Sequence, residues 1–312
     1  MSSVFSKVRR KIEYIHNKKA TYDYAPQQGG WEKYGSPVFG DETTASVFDP
    51  FVVMIDRLFV SERKNSGIIC TDSTDGTEWE KWKVALEAGD KGSWEERVNR
   101  ASVCEIDGKW LMWYTGQSRN NSAIGIATSD DGIRFTRMQQ KPILVPSEPY
   151  EKGSVMNPCV LWDKDEKIFK MWYAAGEQFE PDVLCYAESK DGINWERYAN
   201  NPILEKSNEK YDQCKVGGCD ILKENDRYYM FYIGYQNVDT ARVCMAESND
   251  GIHNWVRSMD NPVISPEKNS WDADAVYKPT VTLNKQKNKL LMWYNGRKQN
   301  CERIGLAEHR IK

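Results

Sequence analysis

The chain has 312 residues, of which 40% are hydrophobic, 12% aromatic and 29% charged, a composition that excludes a disordered chain and allows a sizeable core. The formal net charge of -3 argues against a nucleic-acid partner, because phosphate contacts require a surplus of Lys and Arg. No stretch approaches 18 uncharged apolar residues and no secretory signal is recognisable, so we expect a soluble, cytoplasmic protein.

The first predicted element is a short amphipathic helix within residues 1–25. Its apolar residues recur with helical spacing, opposite a cluster of Lys and Arg, and are Phe5, Val8, Ile12 and Ile15. Two interpretations stay open for this basic helix. It docks on the rest of the protein or on a second subunit, which we favour, or it rests on an anionic membrane surface.

The remainder, residues 26–312, contains an internal repeat of about sixty residues. A Ser-x-Asp-Gly motif recurs four times, and its aspartates, 56, 60 and 59 positions apart, are Asp75, Asp131, Asp191 and Asp250. A motif of the type Met-Trp-Tyr recurs at residues 111–114, 170–173, 229–232 and 291–294. A segment of the type Pro-Ile-Leu recurs at residues 37–39, 142–144, 202–204 and 262–264. Five repeat units follow from these motifs.

Each unit alternates short β-branched and aromatic runs with turn residues and is predicted to form four antiparallel strands. Five such units arranged radially make an all-β fold, a five-bladed β-propeller. The fifth unit lacks its last strand, and residues 31–39 resemble residues 195–204 of the third unit. We therefore predict that an N-terminal strand completes the last blade and removes an open sheet edge.

Cysteine and histidine offer no sign of a metal site or of any cofactor. The eight cysteines contain no Cys-x-x-Cys pair, and there are only three histidines. Several cysteines lie in apolar runs such as residues 183–186. We predict buried, reduced thiols that pack within strands.

A propeller gathers its functional residues on one face, where the inner strands begin and the second strands end. Acids that occur at the same place in every unit, such as Glu95 and Glu151, are interpreted as scaffold. Residues unique to their unit remain as candidates. The acidic candidates are Asp49, Glu62, Glu96, Glu177, Asp220 and Asp274. The basic candidates are Arg63, Arg97, Arg100, Lys215, Lys278 and Arg297, and the polar ones are Asn99, Gln117, Asn157 and Tyr235. This set predicts a strongly charged and mostly basic channel mouth.

The five-unit ring, the Asp49-Pro50 pair, the Pro-Ile-Leu segments and the Ser-x-Asp-Gly motifs resemble the five-bladed glycoside hydrolase superfamily of families 43, 32, 68 and 130. The resemblance covers residues 31–310. It implies a propeller that acts on a carbohydrate. In families 43 and 32 the aspartate at the place of Asp49 is the general base or the nucleophile, so the resemblance makes Asp49 the first catalytic candidate.

Two positions depart from the pattern of those families. Asn157 stands where family 32 has the aspartate of Arg-Asp-Pro, and Gly217 and Gly218 stand where families 32 and 43 place the acid glutamate. Glycoside hydrolysis by the usual route requires two carboxyl groups. Glu96 is the preferred second carboxyl, since its loop precedes the second inner strand. A pair on different blades predicts inversion of configuration.

The basic candidates predict an anionic or phosphorylated sugar substrate, because Arg binds phosphate and carboxylate through paired hydrogen bonds. Three functions stay open. The first is a glycosidase-type enzyme that cleaves or transfers a glycosidic bond. The second is an inverting phosphorylase, the chemistry found in family 130, and the third is a carbohydrate-binding propeller without catalysis.

Overall fold

The computed structural model describes residues 12, 29–41, 46–119, 121–177 and 181–311. Apart from Ile12, the helix predicted within residues 1–25 lies outside them. The described chain is almost entirely β-strand. No helix within it has the length and apolarity needed to cross a bilayer.

The strands form five four-stranded antiparallel blades, each ordered from the inner strand outward. Blade one is β2 (Val47–Val53), β3 (Arg57–Glu62), β4 (Gly67–Asp72) and β5 (Lys83–Leu86). Blade two is β6 (Arg97–Ile106), β7 (Lys109–Gln117), β8 (Ser122–Ser129) and β9 (Thr136–Arg137). Blade three is β10 (Ser154–Asp163), β11 (Ile168–Gly176), β12 (Pro181–Ser189) and β13 (Glu196–Arg197), preceded by a 3-10 turn, Pro149–Glu151.

Blade four is β14 (Lys215–Glu224), β15 (Arg227–Asn237), β16 (Thr240–Ser248) and β17 (Val256–Arg257). Blade five is β18 (Ala275–Asn284), β19 (Lys289–Lys298) and β20 (Cys301–Arg310), completed by β1 (Glu32–Lys33). Each inner strand contacts the next one, and β18 contacts β2, which closes the ring. The predicted five-bladed propeller is confirmed.

The N-terminal strand occupies the predicted place in blade five. β1 pairs antiparallel with β20, and Glu32 lies opposite Glu308. Phe39 then bridges to Ile304, as Leu144 bridges to Ile124 in blade two. The prediction that residues 31–39 complete the last blade is therefore confirmed.

Tryptophans of the second strands fasten each blade to the following one. The indole N–H of Trp113 donates to the carbonyl of Gly192 at 2.9 Å, and that of Trp293 donates to Gly76 across the closure at 2.8 Å. Both tryptophans are fully buried. The motif around them thus packs between blades, as its repetition indicated.

The acids interpreted as scaffold share one arrangement. Glu95 accepts hydrogen bonds from Tyr114 at 2.7 Å and from Arg137 at 2.8 Å. The same tyrosine and arginine partners recur in blades three and four around Glu151 and Asp212. These carboxylates join the second and outer strands of a blade, so they are not available to a ligand.

The eight cysteines form no disulfide. Five of them are buried, as predicted for packing thiols, whereas Cys104 and Cys214 are half-buried and Cys301 is exposed. Burial raises the pKa of the Cys70 thiol to about 11. In the described residues no group of His, Cys, Asp and Glu side chains is arranged to hold a metal ion.

Candidate active site

A cavity of about 650 Å³ opens on the face where the inner strands begin. Its described lining comes from blades one, two, four and five. Nine of the residues predicted from sequence line it, namely Asp49, Glu62, Arg63, Arg97, Asn99, Arg100, Gln117, Tyr235 and Arg297. The structure therefore brings the candidates of blades one and two together.

A β-bulge interrupts every inner strand at the same point. In four blades the bulged residue has a left-handed backbone, with φ of 54° at Asp49, 60° at Arg100, 55° at Asn157 and 43° at Lys278. Such angles are uncommon outside glycine and concentrate at functional sites. Bulges re-aim side chains, and here each bulge lies at the cavity end of its strand.

The backbone at these bulges is held by the preceding blade. The amide of Asp49 donates to Asn295 Oδ1 at 3.0 Å, that of Arg100 to Ser61 Oγ at 3.0 Å, and that of Asn157 to a threonine hydroxyl at 2.9 Å. These bonds use the main chain alone. The bulge is therefore fixed independently of the side chain it carries.

Asp49 and Arg100 form an ion pair in the cavity, with 2.7 Å between Asp49 Oδ2 and Arg100 Nε. Both groups are largely withdrawn from solvent, the side chains being 1% and 15% exposed. A guanidinium at this distance stabilises the negative charge of the carboxylate. Asp49 is thus presented in the form that accepts a proton.

Glu302, at the start of β20, is a second buried carboxylate that the sequence argument missed. It accepts hydrogen bonds from the Tyr277 hydroxyl, from Arg63 Nε at 2.5 Å and from Ser46 Oγ at 3.2 Å. Burial and then the charge of Glu302 raise the pKa of Tyr277 well above its ordinary value. Tyr277 and Glu302 both line the cavity.

A signal for Glu302 was present in the sequence. Third strands begin on the same face as second strands end, and Glu302 is the second residue of a third strand. Asp239, in the hairpin between β15 and β16, also lines the cavity and was missed for the same reason. Inspection of third-strand starts would have found both residues.

Glu62 lies in the cavity wall, but its carboxylate caps a turn. Its two oxygens accept the backbone amides of Lys64 at 2.7 Å and Asn65 at 2.8 Å. This arrangement fixes the loop between β3 and β4 and leaves Glu62 little freedom to transfer a proton.

Two arginines are directed by backbone carbonyls. Arg97 donates to the carbonyl of Ser118 at 3.0 Å, and Arg297 donates to that of Asp239 at 2.8 Å. The buried Nε of Arg297 has no hydrogen-bond partner. Neutral partners leave the positive charge uncompensated, which favours an anion nearby.

Seven predicted residues do not line this cavity, and their contacts explain their positions. Glu96 accepts the amide of Gly92 at 3.0 Å in its own loop. Lys215 pairs with Glu177 at 3.1 Å. Asp274 caps the amide of Gln299. The other three are Asn157, Asp220 and Lys278.

Asp220 serves the scaffold. Its Oδ2 accepts the amide of Val281 in the next blade at 2.7 Å. At the equivalent place the hydroxyl of Ser102 accepts the amide of Val160 at 2.9 Å. Burial raises the pKa of Asp220, and the nearby Lys278, 1% exposed, opposes that rise.

The prediction of a mostly basic mouth is wrong. The lining carries four arginines, at positions 63, 97, 100 and 297, and four carboxylates, at positions 49, 62, 239 and 302. Lys215 and Lys278 are engaged elsewhere, and two acids were missed. The cavity is strongly charged and nearly balanced, with its positive surplus local to Arg97 and Arg297.

Residues 43–305 match the model of Glycosyl hydrolases family 43. The chain belongs to this family. It is accordingly a glycosidase-type, carbohydrate-active protein built on the family's five-bladed propeller.

Individual relatives agree with this assignment. An uncharacterized protein of Mycobacterium tuberculosis is 25% identical over 71% of this chain and 75% of its own length. The beta-1,2-mannobiose phosphorylase of Thermoanaerobacter sp. is 33% identical, over 39% of this chain and 45% of its own length. A solved structure of a glycoside hydrolase superposes with a TM-score of 0.71 at 20% identity and covers 95% of this chain and 96% of its own.

Proposed function

We propose that this family 43 protein breaks or transfers the glycosidic bond of an anionic sugar, with Asp49 as the group that carries the proton at the anomeric centre. The observation that carries the proposal is the buried Asp49–Arg100 ion pair in the wall of the cavity. Arg100 stabilises the carboxylate, and a carboxylate so placed accepts a proton from an attacking hydroxyl. By microscopic reversibility the same group returns a proton to a leaving oxygen.

The anionic part of the substrate is assigned to Arg97 and Arg297. Their partners in the cavity wall are backbone carbonyls, which do not neutralise a guanidinium. A carboxylate or phosphate on the sugar would supply the missing charge through paired hydrogen bonds. Neutral sugars would gain less from this wall.

Phosphorolysis is a second candidate. It requires one proton-carrying carboxyl and a bound phosphate, and the cavity offers Asp49 together with Arg297. The named activity of the Thermoanaerobacter relative favours it. Under this alternative the anion at Arg297 is the phosphate itself.

The test is a panel of aryl and natural glycosides, neutral and anionic, incubated with and without inorganic phosphate. Asp49→Asn should reduce kcat/KM for any turned-over substrate by about 100- to 10,000-fold, the usual contribution of a proton-transfer group. Asp130→Asn, a change of an exposed carboxylate, is the matched control. Full activity in Asp49→Asn would refute the role of Asp49.

Two further outcomes separate the alternatives. A sugar 1-phosphate formed only when phosphate is added would establish phosphorolysis. Sugar binding without turnover across the panel would instead support a carbohydrate-binding propeller. Glu96→Gln belongs in the same series, because reduced turnover in that variant would restore the acid predicted from sequence.

A further inference from the structure

The pairing of Tyr277 with Glu302 has no part in the function proposed above. Tyr277 precedes the bulged Lys278 on β18 and points its hydroxyl at Glu302. Glu302 is 3% exposed and is held from its other side by Arg63 at 2.5 Å. The phenol thus stands between the cavity and a fixed base.

This arrangement has the elements of an activated nucleophile. A tyrosine hydroxyl attacks carbon when an adjacent base removes its proton, and a third group orients that base. Glu302 is the base and Arg63 the orienting group. Sialidases use a tyrosine in this way, as an exception to the two-carboxylate route.

We propose that Tyr277 is the nucleophile of this site, with Glu302 as its base, and that the substrate is a glycoside whose anomeric carbon bears a carboxylate, as in 2-keto acid sugars. The inference rests on the proposed function, since Asp49 remains the proton carrier.

Electrostatics selects this substrate class. A carboxylate nucleophile would approach a negatively charged anomeric centre with a charge of the same sign. A neutral phenol that passes its proton to Glu302 keeps the developing negative charge one residue away from the substrate. Because burial and Glu302 raise the Tyr277 pKa well above its ordinary value, the phenol is neutral before attack.

The arginines suit the same class. Arg297 lies opposite Glu302 across β19 and β20 and opposite Ala275 on β18, two residues before Tyr277. The substrate carboxylate would therefore meet a guanidinium beside the nucleophile. This places the anionic group at the anomeric carbon and not on a distant substituent.

The reaction balances in two steps. Tyr277 Oη bonds to the anomeric carbon, its proton passes to Glu302, and the glycosidic C–O bond breaks. The departing oxygen keeps the electron pair and takes a proton from Asp49 or, for an aryl group, from water. Water then attacks the anomeric carbon and gives its proton to Asp49, while the Tyr277 oxygen leaves and recovers its proton from Glu302. Two displacements retain configuration, in contrast to the inversion expected from a pair formed by Asp49 and Glu96.

The experiment uses 2,3-difluoro derivatives of N-acetylneuraminic acid and of 3-deoxy-manno-octulosonic acid, which form slowly hydrolysed glycosyl-enzymes. The intact protein should gain the mass of one glycosyl group, and peptide mapping should locate it on Tyr277. Tyr277→Phe should abolish the label. Tyr34→Phe, a change outside the cavity, should label like the parent protein.

Companion variants refine the result. Glu302→Gln should slow labelling by about 100-fold or more, the contribution of a general base. Asp49→Asn should accumulate the label, because its second step lacks the base. Proton NMR of the first product from the 4-methylumbelliferyl ketosides should show retention.

The contrary results are distinct from a failure of the proposed function. A label on Asp49, an unlabelled protein with both reagents, or inversion would overturn the role of Tyr277. Loss of turnover in Asp49→Asn with full turnover in Tyr277→Phe would do the same and leave the proposed function standing. Full activity in Asp49→Asn together with a label on Tyr277 would remove only the role of Asp49.

Discussion

Lys33 of the N-terminal strand forms an ion pair with Asp272, at 2.6 Å, in the place that Arg137, Arg197 and Arg257 take in the other blades. The two side chains are 7% and 0% exposed. Asp272 also accepts the hydroxyl of Tyr294 at 3.1 Å, which completes the arrangement seen in blades two to four. The outer strand of blade five therefore carries its own copy of the fastening found elsewhere in the ring.

Lys33→Met should lower the free energy of unfolding by about 3 kcal/mol, because it leaves the buried charge of Asp272 without its partner. Lys33→Arg should retain parental stability, since arginine holds this place in three blades. Chemical denaturation monitored by tryptophan fluorescence measures both variants. A loss below about 0.5 kcal/mol in Lys33→Met would show that the pair does not hold the closing strand.

Deletion of residues 1–40 should abolish soluble folded protein, since it removes β1 and the Phe39–Ile304 bridge and exposes the edge of β20. Deletion of residues 1–20 leaves both contacts and is the control. Size-exclusion chromatography and thermal melts measure the outcome. Parental melting of both truncated proteins would contradict closure by this segment.

Asp131→Ala should destabilise the protein at neutral pH and cost progressively less in acid. The amides of Arg134 and Ile133 donate to Asp131 at 3.0 and 2.8 Å and lower its pKa to about 2. A carboxyl whose pKa is lower in the folded state contributes stability above its unfolded pKa of about 3.9 and loses it as pH falls toward 2. Denaturation at several pH values should show a constant difference above pH 5 and a shrinking one below about pH 4.

The same pH series with Asp130→Ala provides the reference. Asp130 is the exposed neighbour of Asp131 in the same turn. Its removal should give no pH-dependent difference. An equal pH dependence in both variants would mean that general surface charge, and not the turn, accounts for the effect.

Phosphate and sulfate should raise the melting temperature, because a ligand that binds only the folded state stabilises it, by about 1.4 kcal/mol at ten times its dissociation constant. Arg297→Gln should weaken this response. Lys298→Gln, an adjacent and exposed cation outside the lining, should preserve it. Equal responses in the two variants would exclude a specific anion site at Arg297.

The sequence predicted the fold more completely than the site, for a physical reason. Blades are alike, so repetition identified the scaffold acids and the strand that replaces the missing one. The site depends on how blades differ, and repetition carries no information there. Asp220 illustrates this limit, since it performs the role of Ser102 with another residue type and so passed as unique.

Glu302 illustrates the opposite error. Its position is common to all third strands, but its contacts with Tyr277 and Arg63 depend on packing across two blades. No local pattern reveals such a contact. The nine lining residues that were predicted lie where strand direction alone decides which face a side chain reaches.

The bulge in each inner strand separates what a position does for the ring from what it offers to a ligand. Because Asp49, Arg100 and Asn157 bond the preceding blade through their backbone amides, an exchange of their side chains leaves those bonds in place. The five bulges act as interchangeable sockets around one axis. Evolution, or a designer, can therefore rewrite the chemistry of the channel one socket at a time without reopening the question of whether the chain folds.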